Sequence, residues 1–288
     1  MKYICTLVIN SEIIMKHIFL SIVFIFSLSQ LYAQDNYGQI IEKALNAAKK
    51  DSLSQAEKLF KEALHMDPAN MRNALLFTNL GTVQRRMGKI DDALESYSLA
   101  LNITPYSVVT LLNRASLYLE KNNYDKAYLD YCNVLDIDRK NKEALLFRAY
   151  IYMNRREYKE ARVDYNALLA EDAKNRTAKL GLVLLNQKEM KYREALELLD
   201  QMIVDNPKDA SLLKAKANVE MEMNTLDLAL IDLEAAAKIT PDDAEIYVSC
   251  GDIYMAQKKK REAYVAYEKA VSLGVPRSEL HDKLKASK

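Results

Sequence analysis

The sequence is short of the residues that build turn-rich folds. Its 288 residues include six glycines, five prolines and no tryptophan. Leucine, alanine, lysine, glutamate and tyrosine are abundant instead, and most of these favour helices. Half of the residues are hydrophobic, which is enough to bury a core. We therefore expect an all-α protein.

Residues that commonly carry out catalysis are also scarce. There are three histidines, and His65 and His281 are too far apart in the chain's repeat pattern to form one site. No metalloprotease, redox, nucleophile-elbow or phosphate-loop motif occurs. The pairs Asp91-Asp92 and Asp242-Asp243 fit helix starts, where acidic side chains cap free amides. We expect no enzyme activity, no cofactor and no metal.

Residues 1–33 are typical of a secretory signal peptide. Lys16 precedes an apolar run over 18–28, and a small residue, Ala33, follows at a suitable cleavage position. Met15 would be a natural start for such a signal, and Met1 is the alternative start. We expect export to the periplasm, with an uncleaved membrane anchor as the alternative.

The remaining chain carries little net charge. Removing residues 1–33 takes away Lys2, Lys16 and Glu12, so the formal charge of +1 falls to zero. A nucleic-acid binder would concentrate basic charge, so this class is disfavoured. Cys132 and Cys250 then remain, and their separation along the chain predicts no disulfide.

One pattern recurs every 34 residues. Stepping by 34 from Ala93 reaches an alanine each time, and stepping from Tyr97 reaches a large tyrosine or leucine each time. The alanines are Ala93, Ala127, Ala161, Ala195, Ala229 and Ala263. Small residues allow two helices to approach closely, and the large ones fill the space between them. A helix-turn-helix repeat of this length predicts a solenoid.

The repeats account for almost all of the chain after the signal. The predicted repeats are 37–70, 74–107, 108–141, 142–175, 176–209, 210–243 and 244–277. Met71 to Asn73 form a three-residue insertion, close to one helical turn, so the next helix could start a turn early and still present Leu76, Phe77 and Leu80 inward. Residues 278–288 are expected to form a capping helix that starts at Ser278.

The repeat resembles the tetratricopeptide repeat family. Asn113-Arg114-Ala115, Tyr118, the run Asn123 to Ala127 and Asp130-Tyr131 follow the family pattern closely. The resemblance implies an α-solenoid, wound as a right-handed superhelix, of about seven repeats with a C-terminal capping helix. The repeats at 176–209 and 210–243 depart from the pattern in their first helices, which we expect to be looser.

The resemblance also implies binding in a concave groove, on the surface that the first helix of each repeat turns towards the inside of the superhelix. The expected groove is polar and basic towards the N-terminus, apolar in the middle and polar towards the C-terminus. Its candidate residues are Asn79, Arg85, Arg86, Asn113, Phe147, Tyr150, Leu184, Lys214 and Asn218. Such a groove suits a protein or peptide with an apolar centre.

These observations favour a non-catalytic binding scaffold or adaptor of the bacterial cell envelope, most simply a monomer. Two alternatives remain open at this point. One is a structural protein that associates with itself, and the other is a regulatory subunit of an envelope enzyme complex.

Overall fold

The computed structural model describes residues 36–288, and every regular element in that part of the chain is an α-helix. Fifteen helices occur there, joined by short turns, and within each part of the chain from α2 to α6 and from α8 to α15 a helix packs against the next one in sequence. The predicted all-α repeat fold is confirmed. The predicted signal peptide, 1–33, lies outside the described residues. Within them, no helix is both long and apolar enough to cross a membrane.

The chain divides after Ala144 into two compact units. The helices of the first are α1 (36–49), α2 (Leu53–Met66), α3 (Asn73–Arg86), α4 (Ile90–Ile103), α5 (Val108–Glu120) and α6 (Tyr124–Ile137). Its core includes Tyr37, Phe60, Leu76 and Leu80, all of them buried.

The second unit takes in most of α7 and all later helices. These are α7 (Lys142–Asn154), α8 (Tyr158–Glu171), α9 (Arg176–Lys188), α10 (Tyr192–Asp205), α11 (Ala210–Glu222), α12 (Leu226–Ile239), α13 (Ala244–Ala256), α14 (Lys260–Ser272) and α15 (His281–Ala286). The last helix begins three residues after Ser278, and its N-cap residue is Leu280. Leu280 and Leu284 anchor it against Tyr267 and its neighbours.

Close contact between paired helices explains the small residues of the repeat. The alanine of each second helix is fully buried from Ala93 to Ala263. A side chain added at Gly81 would lie 2.8 Å from Tyr97 Cε1, and one at Gly251 would lie 2.3 Å from Tyr267 Cε1. Both distances are shorter than carbon atoms tolerate, so a larger residue at either position would force the tyrosine of the same repeat to move.

The turn inside each repeat contains one residue in the left-handed conformation. In the second repeat this is Gly88, with φ of 75°. The other repeats place non-glycine residues at the equivalent position with φ between 56° and 61°, namely Asp51, Asn122, Arg156, Met190, Asn224 and Lys258. A left-handed residue ends one helix and turns the chain into the next.

The three-residue insertion does not extend the following helix by a full turn. α3 begins at Asn73, one residue earlier than the 34-residue spacing would place it. The reason lies in Asn73 itself, which is buried: its Nδ2 donates to the Asp67 carbonyl over 2.7 Å and its Oδ1 accepts from the Tyr37 hydroxyl over 2.8 Å. These bonds hold the inserted residues in a turn.

The polar first helices of the fifth and sixth repeats keep a regular length. Both α9 and α11 run 13 residues, as α5 does. Asn186 of α9 is buried and accepts a 2.7 Å hydrogen bond from Arg162 Nη2. Lys216 of α11 pairs with Asp200 over 2.9 Å. The structure therefore shows regular helices with paired polar residues, where the sequence led us to expect looser ones.

Candidate functional site

In the first unit, the surface of the first helices is polar and largely engaged in internal contacts. Asn79 on α3 and Asn113 on α5 are half-buried. Arg85 Nη1 donates to Ser116 Oγ over 2.8 Å, and Arg85 Nη2 pairs with Glu120. Arg85 therefore joins α3 to α5.

Arg86 is also used within the fold. Its Nη1 donates to the Ala48 carbonyl over 3.0 Å, and its Nη2 pairs with the Asp51 carboxylate over 2.7 Å. Asp51 occupies the left-handed turn of the first repeat. Arg86 thus connects the first repeat to the second, although it remains partly exposed.

In the second unit, the equivalent surface is apolar and open. Tyr150 on α7 is 46% exposed and Leu184 on α9 is 47% exposed. They occupy the same position in successive repeats, 34 residues apart. Phe147 lies half-buried one helical turn before Tyr150. Two successive helices therefore present large apolar side chains to solvent at equivalent positions.

The predicted C-terminal part of the groove is mixed. Lys214 on α11 pairs with Asp243 over 2.9 Å and with Glu245, so its ammonium links α11 to the start of α13. A cavity of about 720 Å³ lies beside it at the start of α11. Asn218, one turn later, is exposed. Of the polar residues predicted here, Asn218 is the one that presents its side chain to solvent.

The last repeat is closed by α15. Asp252 occupies the position of Tyr150 and Leu184 in α13 and accepts a hydrogen bond of 2.8 Å from the Tyr267 hydroxyl. Lys283 of α15 also donates to Asp252 over 2.6 and 2.7 Å. The exposed apolar surface of the first helices therefore stops before the C-terminal repeat.

The acidic pairs at helix starts have structural roles. The Asp243 carboxylate caps α13 by accepting from the Glu245 amide over 3.1 Å, and Asp91 and Asp92 lie in the first turn of α4. In residues 36–288 no group of three or more histidine, cysteine or acidic side chains is arranged to hold a metal ion.

The sequence analysis did not predict a cavity that lies in the last repeat. It has a volume of about 560 Å³ and lies between α12, α13 and α14, with Ala237, Cys250 and Ala266 in its walls. Earlier repeats carry larger residues at all three positions, for example Leu135, Arg114 and Asp130. A column-by-column comparison of side-chain volumes would have revealed it.

Comparison with known proteins agrees with the geometry. The family model described as Tetratricopeptide repeat matches residues 112–177, 179–244 and 244–273, more than half of the chain. The chain belongs to the tetratricopeptide repeat family. Proteins built from such repeats present extended surfaces on which other proteins dock.

Solved structures of tetratricopeptide repeat proteins extend the match. One from Parabacteroides merdae is 33% identical, with a TM-score of 0.66, and the match covers 87% of this chain and 98% of that one. YrrB, described as a TPR protein with an unusual peptide-binding site, is 21% identical with a TM-score of 0.50, and the match covers 66% of this chain and 98% of YrrB. The likeness to YrrB concerns the fold alone.

A curated relative matches over a shorter stretch. The human protein DnaJ homolog subfamily C member 7 is 35% identical over 97 residues, which is 31% of this chain and 20% of that protein. The chain therefore spans about a fifth of the length of the curated relatives it matches.

Proposed function

We propose that this tetratricopeptide repeat protein is a non-catalytic scaffold that binds a protein or peptide on the surface of its first helices. The observation that carries the proposal is the pair Tyr150 and Leu184. Each exposes almost half of its surface at the same position of successive repeats. Exposed apolar side chains repeated along one face are typical of docking surfaces.

The surroundings of this pair favour a peptide with an apolar centre. Phe147 widens the apolar surface, and the exposed amide of Asn218 offers a donor and an acceptor to a peptide backbone. The anchors in such a ligand are apolar side chains spaced to meet Tyr150 and Leu184. YrrB, whose description names a peptide-binding site, supports this use of the fold by analogy only.

We further propose that the scaffold works in the bacterial cell envelope, in the periplasm, after removal of residues 1–33. The support is the basic, apolar and small-residue pattern of that segment. Mass spectrometry of the protein from the native envelope would find a mature chain that begins at Gln34. An intact N-terminus on the membrane would contradict cleavage.

The groove is tested by a double substitution, Leu184→Asp with Tyr150→Ala. A photo-activated cross-linking residue at position 147 identifies the partner in the native envelope, and binding of that partner is then measured with purified proteins. We expect binding to fall by at least about tenfold, since two apolar anchors of more than about 1 kcal/mol each are lost. The helical circular dichroism signal should not change.

The matched control is Val163→Asp with Ile231→Ala. Both residues are exposed and apolar, at 66% and 60%, but they lie on the second helices α8 and α12. This control should bind normally. Unimpaired binding by the groove variant, or an equal loss in the control, would contradict the proposed surface.

A further inference from the structure

Two neighbouring repeats hold an arginine in the same space between their helices. Arg114 of α5 donates twice to Asp130 of α6, over 2.8 Å each, and its guanidinium lies 5.9 Å from the centre of the Tyr118 ring. Arg148 of α7 has the same contacts with Asp164 and Tyr152, the ring at 5.8 Å. We call this space the cation slot.

The second helix of the preceding repeat supplies another wall of the cation slot. Arg114 Nη1 donates to Ser98 of α4 over 3.1 Å. In the sixth repeat the slot holds Lys216, which pairs with Asp200 of α10 over 2.9 Å and with Asp232 of α12 over 3.5 Å. Asp200 stands at the position of Ser98, three repeats later. Arg114 and Lys216 therefore each meet acceptors from their own repeat and from the preceding one.

In the last repeat the cation and its aspartate are both missing, but the aromatic ring and one carboxylate of the slot remain. Cys250 replaces the arginine or lysine, and Ala266 replaces the aspartate. Tyr254 keeps the position of Tyr118 and Tyr152, and Glu234 keeps that of Asp200. The result is the cavity of about 560 Å³, with Tyr254 and Glu234 both in its lining.

Two acidic and two basic residues line the cavity, Glu234 and Glu262 with Arg261 and Lys269, and Glu234 is exposed. Lys269 lies 5.7 Å from the centre of the Tyr247 ring. Among the ion pairs of residues 36–288, none includes Glu234. Burial, with a contribution from Glu234, raises the pKa of Cys250 to about 11, so the thiol is neutral at pH 7.

We propose that this cavity receives an arginine side chain from a partner polypeptide. The aliphatic stem would lie along Ile246, Ala237 and Ala266, and the guanidinium would stack on Tyr254 and pair with Glu234. Arg114 and Arg148 make the same kinds of contact inside the chain. Val265, exposed at the rim, adds an apolar contact for the residue beside that arginine. This surface is separate from the proposed groove, since two of its walls are the second helices α12 and α14.

The first test fills the slot from within. Cys250→Arg places the side chain where Arg114 and Arg148 stand in their repeats, so the melting temperature should stay the same or rise. The matched control is Leu182→Arg, at the same position of the fifth repeat, where Leu182 is buried and the position of Asp130 and Asp164 is taken by Leu198. The control should lower the melting temperature by about 5 °C or more. An equal fall for Cys250→Arg would overturn the proposal.

The second test supplies the arginine in trans. The probes are a short blocked peptide with a central arginine between leucines and the same peptide with citrulline, which keeps the shape and lacks the charge. Methyl NMR of Ile246 and Val265 in the full chain reports binding. We expect the arginine peptide to bind at least about threefold more tightly than the citrulline peptide. Glu234→Gln should remove that difference, and Cys250→Arg should abolish binding.

Two results would overturn the assignment. Equal changes in the methyl NMR signals with both peptides, or no change with either, would exclude a charge-selective slot. A dimer of the wild-type chain that Cys250→Arg dissociates would place a second copy, and not a partner polypeptide, in the cavity. The Leu184→Asp, Tyr150→Ala variant should bind the arginine peptide normally, so failure of the groove proposal and failure of this one are distinguishable.

Discussion

Two buried glutamates, one in each unit, have opposite electrostatic surroundings. Glu57 of α2 is 7% exposed and accepts hydrogen bonds from Lys61 over 2.8 Å and from Lys89 over 2.6 Å. The hydrogen bond from Lys61, followed by that from Lys89, lowers the pKa of Glu57 to about 2. In the first unit, burial of this carboxylate is compensated by two cations.

Glu220 of α11 has the reverse environment. It is 3% exposed, and its Oε2 has no hydrogen-bond partner among residues 36–288. Burial, followed by the charge of Asp232, raises the pKa of Glu220 to about 7, and Lys216 only partly opposes them. Asp200 adds a third negative charge. The sign and number of neighbouring charges, rather than burial alone, decide which form of a buried glutamate the fold prefers.

The largest expected effect tests what the two units share. Ala93 and Ala161 are fully buried in equivalent helix contacts, one in each unit. Ala93→Arg and Ala161→Arg should each lower the free energy of unfolding by several kcal/mol, through overpacking and burial of a charge. Chemical denaturation measures both. A melt that either substitution leaves unchanged would contradict the repeat register.

The next prediction tests how the two units differ. Because folding raises the pKa of Glu220, its favourable contribution is complete below the unfolded pKa of about 4.5 and is lost as pH rises through about 7. Glu220→Gln should therefore raise the free energy of unfolding at pH 8 by on the order of 2 kcal/mol, and by much less at pH 4.5.

The substitution Glu57→Gln should act in the opposite direction. Folding lowers the pKa of Glu57, so its contribution is present above about 4.5 and is lost as pH falls through about 2. We expect the variant to lose about 1 kcal/mol at pH 7, a modest value because Lys61 and Lys89 are about half exposed. The same pH dependence in both variants would refute the contrast between the units.

The smallest expected effect concerns the turns. Gly88 in the first unit and Met190 in the second occupy the same left-handed position, and Met190 is 78% exposed. Gly88→Ala should lower the free energy of unfolding by about 1 kcal/mol, and Met190→Gly should raise it by up to about 1 kcal/mol. Thermal denaturation of the two variants measures the difference. Effects of the same sign would show that the two turns are not equivalent.

Much of the fold was predictable because the repeat encodes local packing. The alanines from Ala93 to Ala263 mark helix contacts that recur every 34 residues, so the period alone identifies helices and turns. The turn residue was less visible, because the left-handed position accepts Asn122, Arg156 and Met190 as well as Gly88. The residue type at this position is therefore a weak signal of the turn.

The exposure of two candidate groove residues was predictable, and the pairing of three others was not. Tyr150 and Leu184 are exposed, as we expect of residues on the groove surface of the first helices. Arg85, Arg86 and Lys214 instead pair with residues 29 to 35 positions away, in neighbouring repeats. Periodicity predicts which face of a helix a side chain occupies, but it does not predict the residue with which that side chain pairs.

The sequence by itself determined the repeat, its helix pairs and its small-residue contacts, since these depend on residue size at a fixed spacing. The tertiary structure decided which charges are paired, why Glu57 and Glu220 have opposite pKa shifts, and where a cavity opens between Cys250, Tyr254 and Glu234. The physical reason is that charge pairing and cavity volume depend on side chains from two or three helices at once, and only the packed chain brings those together.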